Sequence, residues 1–378
     1  MSLALSEEQT MLQDAARNFC NENCPVSVLR SLRDENSELG YDQQVWAQML
    51  ELGWAGMALP EAYGGFDFGY TGLGIVLEET GRTLASSPLI GTVLLGATAI
   101  NLGGTEQQKS ELLPGIVSGK LTLALAIDET PFHRPHQLST TAQKDGEGYR
   151  INGRKCFVLD GHIADTIILA ARIPDDDAVA LFLVDPGLDG VSVQRTEMVD
   201  CRNSANVILE DVVVSAEALL GGAALSAKEL DRILDIGRIG LAAEMLGSVH
   251  QVFGQIVEYL KQREQFGVLI GAFQALQHRA AIMYSEIELC KSVVRAALVA
   301  LDDPDSEDRE VSRLASLSKA KLSEVFELVS NEGVQMHGGI GMTDEFDIGF
   351  FLKRARVAQQ FLGDASYHRD RYATLQQF

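Results

Sequence analysis

Two short stretches carry residue types suited to a flat, anionic ligand. The first is Arg263-Glu264-Gln265-Phe266-Gly267, followed by Ile270, Phe273, Gln274 and Gln277-His278. The arginine presents a planar fork of donors that matches a pyrophosphate. Phe266 and Phe273 add flat apolar surface, and Gln274 can both donate and accept. Gly267, just past a periodic apolar run, reads as a helix stop. The second stretch is Gln335-Met336-His337-Gly338-Gly339-Ile340-Gly341, at the end of another helical run. Its glycines allow backbone to approach a ligand closely, and adjacent N–H groups can form an anion nest. Together the two stretches could hold the polar, aromatic body of a dinucleotide. The plainer reading of each is a solvated helix end with a core Phe.

The elements that must position these residues come in three blocks. Ser6-x-x-Gln9 is a capping box opening an amphipathic helix to about Cys20. Helical patterns follow at 45–52, 72–84 and 92–102, and Thr105-x-x-Gln108 caps another that ends by Gly119. From 121 the period changes. Short apolar runs at 121–126, 166–171, 178–184, 191–195 and 206–214 read as strands, and Asn152-Gly153 reads as a hairpin turn between extended flanks. Ser226-x-x-Glu229 opens a last block of long helices at about 227–263, 273–301, 306–333 and 346–375, broken by Asp302-Asp303-Pro304-Asp305. Four such helices read as an up-down bundle. The expectation is an α+β multidomain chain: an all-helical domain at 1–120, a β-barrel or β-sandwich domain at 121–220 and a four-helix bundle at 221–378. No Gly-x-Gly-x-x-Gly follows a strand, so a Rossmann site is unsupported.

The 378 residues allow two or three domains. Fifty-three acidic against 31 basic residues, a net charge of -22, argue against nucleic acid and against an anionic membrane surface. Any site for an anion must be locally basic on an acidic whole. Five scattered cysteines (Cys20, Cys24, Cys156, Cys201, Cys290) fit a reducing compartment. Cys20 and Cys24 have no further ligand nearby, so no metal site is expected. There is no signal-peptide pattern and no apolar run of membrane-spanning length, so the chain is read as cytoplasmic. Met1-Ser2-Leu3 reads in part as a cloning remnant.

The Arg-x-x-Phe-Gly-x-x-Ile-x-x-Phe-Gln run and the later Gln-x-x-Gly-Gly, in this order and with this domain pattern, resemble the flavin-binding signatures of the acyl-CoA dehydrogenase family. The Leu-Gly-Trp and Pro-Glu-x-Tyr-Gly-Gly runs resemble its N-terminal helical domain, although turn and packing chemistry also accounts for them. The resemblance implies FAD, an acyl-CoA substrate, and removal of an α-proton with transfer of the β-hydride to flavin N5. It also implies tetramers and electron transfer to an electron-transfer flavoprotein. Arg263, Gln265, Phe266, Ile270, Phe273, Gln274, Gln335, Gly338 and Gly339 would contact FAD, acting across a subunit interface on a neighbour's cofactor. Phe157 stands where an aromatic residue packs on the ring, and Arg238 would face substrate. Other positions depart from the family. Its usual glutamate is Leu362 here, and the branched-chain alternative before Arg238 is Gly237. A threonine near N5 is Leu159, and the Gly-Ser-Asp run is missing. The resemblance then leaves two carboxylates near those positions as candidate bases, Glu244, two helical turns past Gly237, and Asp364, since burial raises a carboxyl pKa; a helix charge paired with a neighbour for Glu244, a cap or polar flavin contact for Asp364, and a base from another chain remain as alternatives. So do a homotetramer and a heterotetramer with a second acyl-CoA dehydrogenase chain, as in bacterial relatives acting on bulky thioesters such as steroid side chains. A flavin oxidase and an inert structural subunit are the rival functions.

Overall fold

The computed structural model describes residues 4–174 and 178–378; the N-terminal tripeptide lies outside them. Helices α1 (Glu7–Asn23), α2 (Val26–Asp34), α3 (Gln43–Glu51) and α4 (Gly69–Thr83) come first. A π-helical stretch, Leu89–Ala97, then runs into α5 (Thr98–Gly103), followed by α6 (Glu106–Val117). Strands β1 (Leu123–Ala126), β2 (Thr141–Asp145), β3 (Gly148–Leu159) and β4 (Thr166–Ile173) lead to β5 (Ala178–Val184), β6 (Val191–Arg195) and β7 (Ser204–Val214). The C-terminal third holds α7 (Ala227–Gln262), a hairpin of β8 (Glu264–Gln265) and β9 (Val268–Leu269), and α8 (Gln274–Asp302). It ends with α9 (Asp308–His337), α10 (Ile348–Gln360) and α11 (Ala365–Gln376). Among the described residues no helix is long and apolar enough to cross a membrane.

The chain packs as two compact units. One takes in Leu32–Gly69 and Ser86–Gly237 and is built on the sheet. The expected β domain is present as a seven-stranded mixed sheet, ordered β1-β4-β2-β3-β7-β6 with β5 paired to β4. Strand β7 turns Val207 and Leu209 inward and, past a register shift opposite Ile151–Gly153, Val212 and Val214, each pair with the period-2 pattern of a half-buried strand. Those side chains join Ile151, Val158, Ile167, Leu169 and Phe182 in one core. Strands β1 and β4 are buried on both faces because the π-helical stretch covers β1: the Leu123 N–H donates to Thr92 Oγ1 at 2.9 Å. Asn152-Gly153 is not the hairpin turn. The β2–β3 turn lies at Gly146, and Asn152-Gly153 sits at a bulge inside β3, where the Asn152 and Asp211 side chains and backbone bond reciprocally. A Cβ at Gly153 would lie 2.4 Å from Thr140 Oγ1, so the glycine serves close strand approach.

The other unit takes in the residues up to Ser31, Tyr70–Ala85 and Arg238–Phe378. Both N-terminal capping boxes form as the sequence suggests, and Ser226 and Glu229 bond reciprocally as the third. Helices α4 and α7 cross in backbone contact. A Cβ on Gly81 would sit 2.0 Å from Glu244 O, and one on Gly247 1.7 Å from Glu78 O. Buried charges gather at this crossing. Arg295 meets Glu78 at 2.9 Å, and Arg17 and Arg82 meet Glu79 at 2.9 and 3.0 Å. The expected last helix is two helices, because the backbone turns left-handed at Leu362 (φ 58) and Gly363 (φ 104).

Candidate active site and cofactor edge

The break between α10 and α11 carries Leu362, at the position where the family resemblance expects a glutamate. Leu362 is 3% exposed, and its carbonyl accepts from Arg238 Nε at 3.3 Å and from the His368 Nε2 side at 3.0 Å. Lys319, fully buried, donates to Gly363 O at 2.8 Å and Gln359 O at 3.1 Å. The last carbonyls of a helix lack intrahelical partners and carry partial negative charge, so cations there both satisfy and stabilise them. Burial, helped by nearby Arg238 and opposed by Asp364, pushes the Lys319 ammonium down to about 7. Arg238 also donates to Tyr367 Oη at 3.2 Å and lies 5.6 Å from that ring. Its guanidinium, expected to face substrate, thus holds the shape of this break.

The two candidate bases have structural partners. Asp364 is the N-cap of α11 and accepts from the Tyr367 N–H at 2.8 Å. Glu244, 4% exposed on α7, lies 3.5 Å from Arg354 on α10, itself 2% exposed. Protonating Glu244 would break that ion pair inside the bundle, where removing one charge from a buried pair is costly.

The stretches at 263 and 335 do come together. Helix α7 ends at Gln262, before Gly267. The chain then makes a two-residue hairpin turn in which Phe266 (φ 57) and Gly267 (φ 76) are both left-handed, a primed turn. Left-handed backbone is costly for a bulky residue and recurs at ligand clamps. The turn holds the Phe266 side chain 91% exposed, with its ring 6.2 Å edge-on from Phe273, which precedes Gln274 at the start of α8. Arg263, Gln265, Gln274 and Gln335 are exposed, and Ile270 donates its N–H to Arg263 O at 2.8 Å. Cβ atoms on Gly338 or Gly339 would meet nothing within 4 Å. The link between the stretches is His337, stacked between Tyr259 (4.4 Å) and Phe346 (4.6 Å), with Nδ1 2.7 Å from Gly333 O. Burial pushes the His337 imidazole down, against the pull of that carbonyl. His337 lies inside the second stretch but has no role in the sequence reading, and Tyr259, one helical turn before Arg263, does not stand out there.

In the sheet unit, Phe157 is 42% exposed and left-handed (φ 52) at a register shift in β3. Neighbouring residues anchor it. The Cys156 N–H donates to Asp128 O at 2.7 Å, and buried Lys155 donates to Ile127 O (3.0 Å) and Glu129 Oε1 (2.8 Å). Glu129 also accepts from the N–H groups of Ser139 and Thr140. Burial works to raise its carboxyl, but Lys155 and these donors outweigh it and hold the group at about 2. Burial pushes Lys155 down to about 8 despite Glu129. Both groups are charged between those values, so the pair is intact at neutral pH. This pair was not legible in the sequence, since its members lie 26 residues apart.

The exposed aromatic pair, Arg263, the amides and the open glycines all belong to the helical unit. The chain is similar to known proteins along most of its length. Profiles of the acyl-CoA dehydrogenase N-terminal, middle and C-terminal domains match residues 6–120, 133–212 and 227–374. The chain is 30% identical to CarC, a subunit of the caffeyl-CoA reductase–Etf complex of Acetobacterium woodii, over 93% of each chain. It is 32% identical to the acyl-CoA dehydrogenase FadE12 of Mycobacterium tuberculosis over 84% of each. Among solved structures it resembles a G363A variant of a steroid ACAD named Tcur3481-Tcur3483, with a TM-score of 0.88 and 33% identity over 98% of each chain.

Proposed function

For this chain, which belongs to the acyl-CoA dehydrogenase family and is an oxidoreductase acting on acyl-CoA, we propose FAD-dependent α,β-dehydrogenation of an acyl-CoA thioester in an assembly where a second chain supplies the base. One observation carries this reading. Leu362 and Gly237 occupy the positions of the family's bases, while the two nearest candidate carboxylates are held as an ion pair and a helix cap. FAD, when bound, supplies the hydride acceptor. This chain's residues would bind and orient it: Arg263 toward the pyrophosphate, Phe266 and Phe273 as apolar surface, and Gln265, Gln274 and Gln335 as hydrogen-bonding groups. Ile270 would add apolar contact, and Gly338 and Gly339 would admit close backbone approach. A ring with 91% exposure on a left-handed turn is surface that a second chain's cofactor would cover. Phe157 would pack against a flavin held in the sheet unit. The steroid relative's two-part name is consistent with a heteromer. The Etf complex of CarC supports an electron-transfer flavoprotein as electron acceptor.

The test is the ratio of FAD to chain, by absorbance, after purifying this chain expressed alone. Folded protein with a ratio near zero, gaining flavin and activity when a second dehydrogenase chain is co-expressed, is the expected result. One FAD per chain with acyl-CoA turnover, lost in Glu244→Gln, would overturn it in favour of a homotetramer with a relocated base. Oxygen consumption with acyl-CoA, in place of electron transfer to the flavoprotein, would identify an oxidase.

A further inference from the structure

We infer that the buried Glu129–Lys155 ion pair positions Phe157, holding its ring outward for a flavin; this rests on the reading of Phe157 as a flavin contact given above. In β3, Lys155 pairs with Val207 and Val158 with Ala205, so Cys156 and Phe157 together stand opposite one residue of β7, Asn206. That is a β-bulge, a device that re-aims a side chain and recurs next to active sites. It breaks the alternation of the strand: Lys155 and Cys156 are buried in succession, Phe157 turns out, and Val158 and Leu159 are buried again. Phe157 takes that orientation with left-handed backbone (φ 52), which persists in a bulky residue only where the surroundings over-determine it.

Those surroundings are tied together by one carboxylate and one ammonium. The fully buried Lys155 side chain donates to Ile127 O at 3.0 Å and to Glu129 Oε1 at 2.8 Å. Glu129 accepts from the Ser139 and Thr140 N–H groups at 2.6 and 2.9 Å. Cys156 Sγ donates to Glu129 O at 3.1 Å, and Thr140 Oγ1 to Arg154 O at 3.4 Å. Segments 127–129, 139–140 and 154–156 are thereby fixed to one another, and Phe157 is the next residue out. None of these bonds reaches the ring, so the pair acts on it through the backbone. For stability alone a buried ion pair is often matched by apolar residues of similar volume; fixed geometry is what such a pair can add. The titratable and charged groups about Lys155 are Glu129, Asp128 (itself bonded to His133), and Cys156 and Arg154 on its own strand. Burial outweighs the pull of Glu129 and lowers Lys155 from an ordinary 10.5 to about 8, while Glu129 is held at about 2. Raising the pH from 7 to 9 therefore discharges Lys155 and leaves the Glu129 carboxylate without its cation.

The test uses the full chain carrying Phe157→Trp. Trp46 and Trp54 are 6% and 2% exposed, so acrylamide quenching reports the introduced indole. Between pH 7 and 9 quenching should rise about twofold, as a ring 42% exposed comes free of its fixed setting. Adding Lys155→Met with Glu129→Gln removes both charges and so strands neither. That double variant should show the higher quenching already at pH 7, with no dependence on pH. With Phe157 in place, and co-expressed with a second dehydrogenase chain, the double variant should hold FAD about fivefold more weakly, as for one lost aromatic contact. Quenching that is constant with pH and unchanged in the double variant would make the pair purely structural and overturn the proposal. Quenching that rises while FAD affinity stays the same would mean that Phe157 does not meet a flavin, and would overturn the underlying reading instead. Should the double variant fail to fold, the pH comparison on the unaltered pair decides.

Discussion

Gly247→Ala separates two opposite expectations on one helix. By intrinsic propensity alone, replacing a mid-helix glycine with alanine stabilises by about 0.8–1 kcal/mol. At the α4–α7 crossing the new Cβ would sit 1.7 Å from Glu78 O, 2.7 Å from its carbonyl carbon and 3.2 Å from Arg82 N. These are backbone atoms of a packed helix and cannot swing aside. The helices must part by more than an ångström to reach even the 3.0 Å that real Cβ contacts respect. Overpacking of this kind costs about 1–3 kcal/mol, with backbone clashes at the upper end. Separation also stretches the bond from Ser248 Oγ to Gly81 O, 2.8 Å and buried, worth roughly 1 kcal/mol. The net expectation is destabilisation by about 2–3 kcal/mol. Gly254→Ala, on the same helix but with nothing within 4 Å, is the control and should stabilise by about 0.5–1 kcal/mol. The two variants are compared by urea unfolding followed by far-UV circular dichroism. If Gly247→Ala raises the midpoint as Gly254→Ala does, the crossing is looser than these contacts describe and the reasoning fails.

Three further outcomes follow from the same geometry. Burial pushes the Asp160 carboxyl up to about 7 from an ordinary 3.8, against the pull of Arg202 and bonds from Asn203 and Gly91. A raised folded value means its contribution is full below about pH 4 and lost as pH rises through about 7. Asp160→Asn should therefore flatten the fall in unfolding midpoint between pH 4 and about 7.5; an unchanged slope refutes it. Asp364→Ala removes the cap of α11 and should lower stability by about 0.5–2 kcal/mol. The assembled enzyme should retain its turnover at permissive temperature, and loss of turnover in the folded Asp364→Asn variant would make this residue the base after all. Phe266→Ala should leave the isolated chain's stability within about 0.5 kcal/mol, because the ring is 91% exposed. It should weaken assembly or flavin retention, read by sedimentation and flavin absorbance; a full complement of both would mean that the ring faces only water.

Much of this protein is local and therefore legible in its sequence. Ser6/Gln9, Thr105/Gln108 and Ser226/Glu229 announce their helices because each cap is completed within four residues. The run Ala178–Val184 shows as a strand by composition, and the order helical, sheet, helical follows from a change of period. That Leu362 is not a carboxylate is a fact of residue type. Features set by distant pairing stayed hidden. The backbone splits at Leu362-Gly363 because Arg238 and Lys319, 124 and 44 residues away, hold the two carbonyls. Asn152-Gly153 reads as a turn by local rules, yet Asp211, 59 residues on, claims it as a bulge within a strand. Glu244 looks like a base by type and face, and only packing places Arg354 beside it. Spacing reports which residues share a turn or a strand face. Which charge neutralises which, and which carbonyl a buried cation satisfies, depends on elements meeting in space, and that was decided by the tertiary structure.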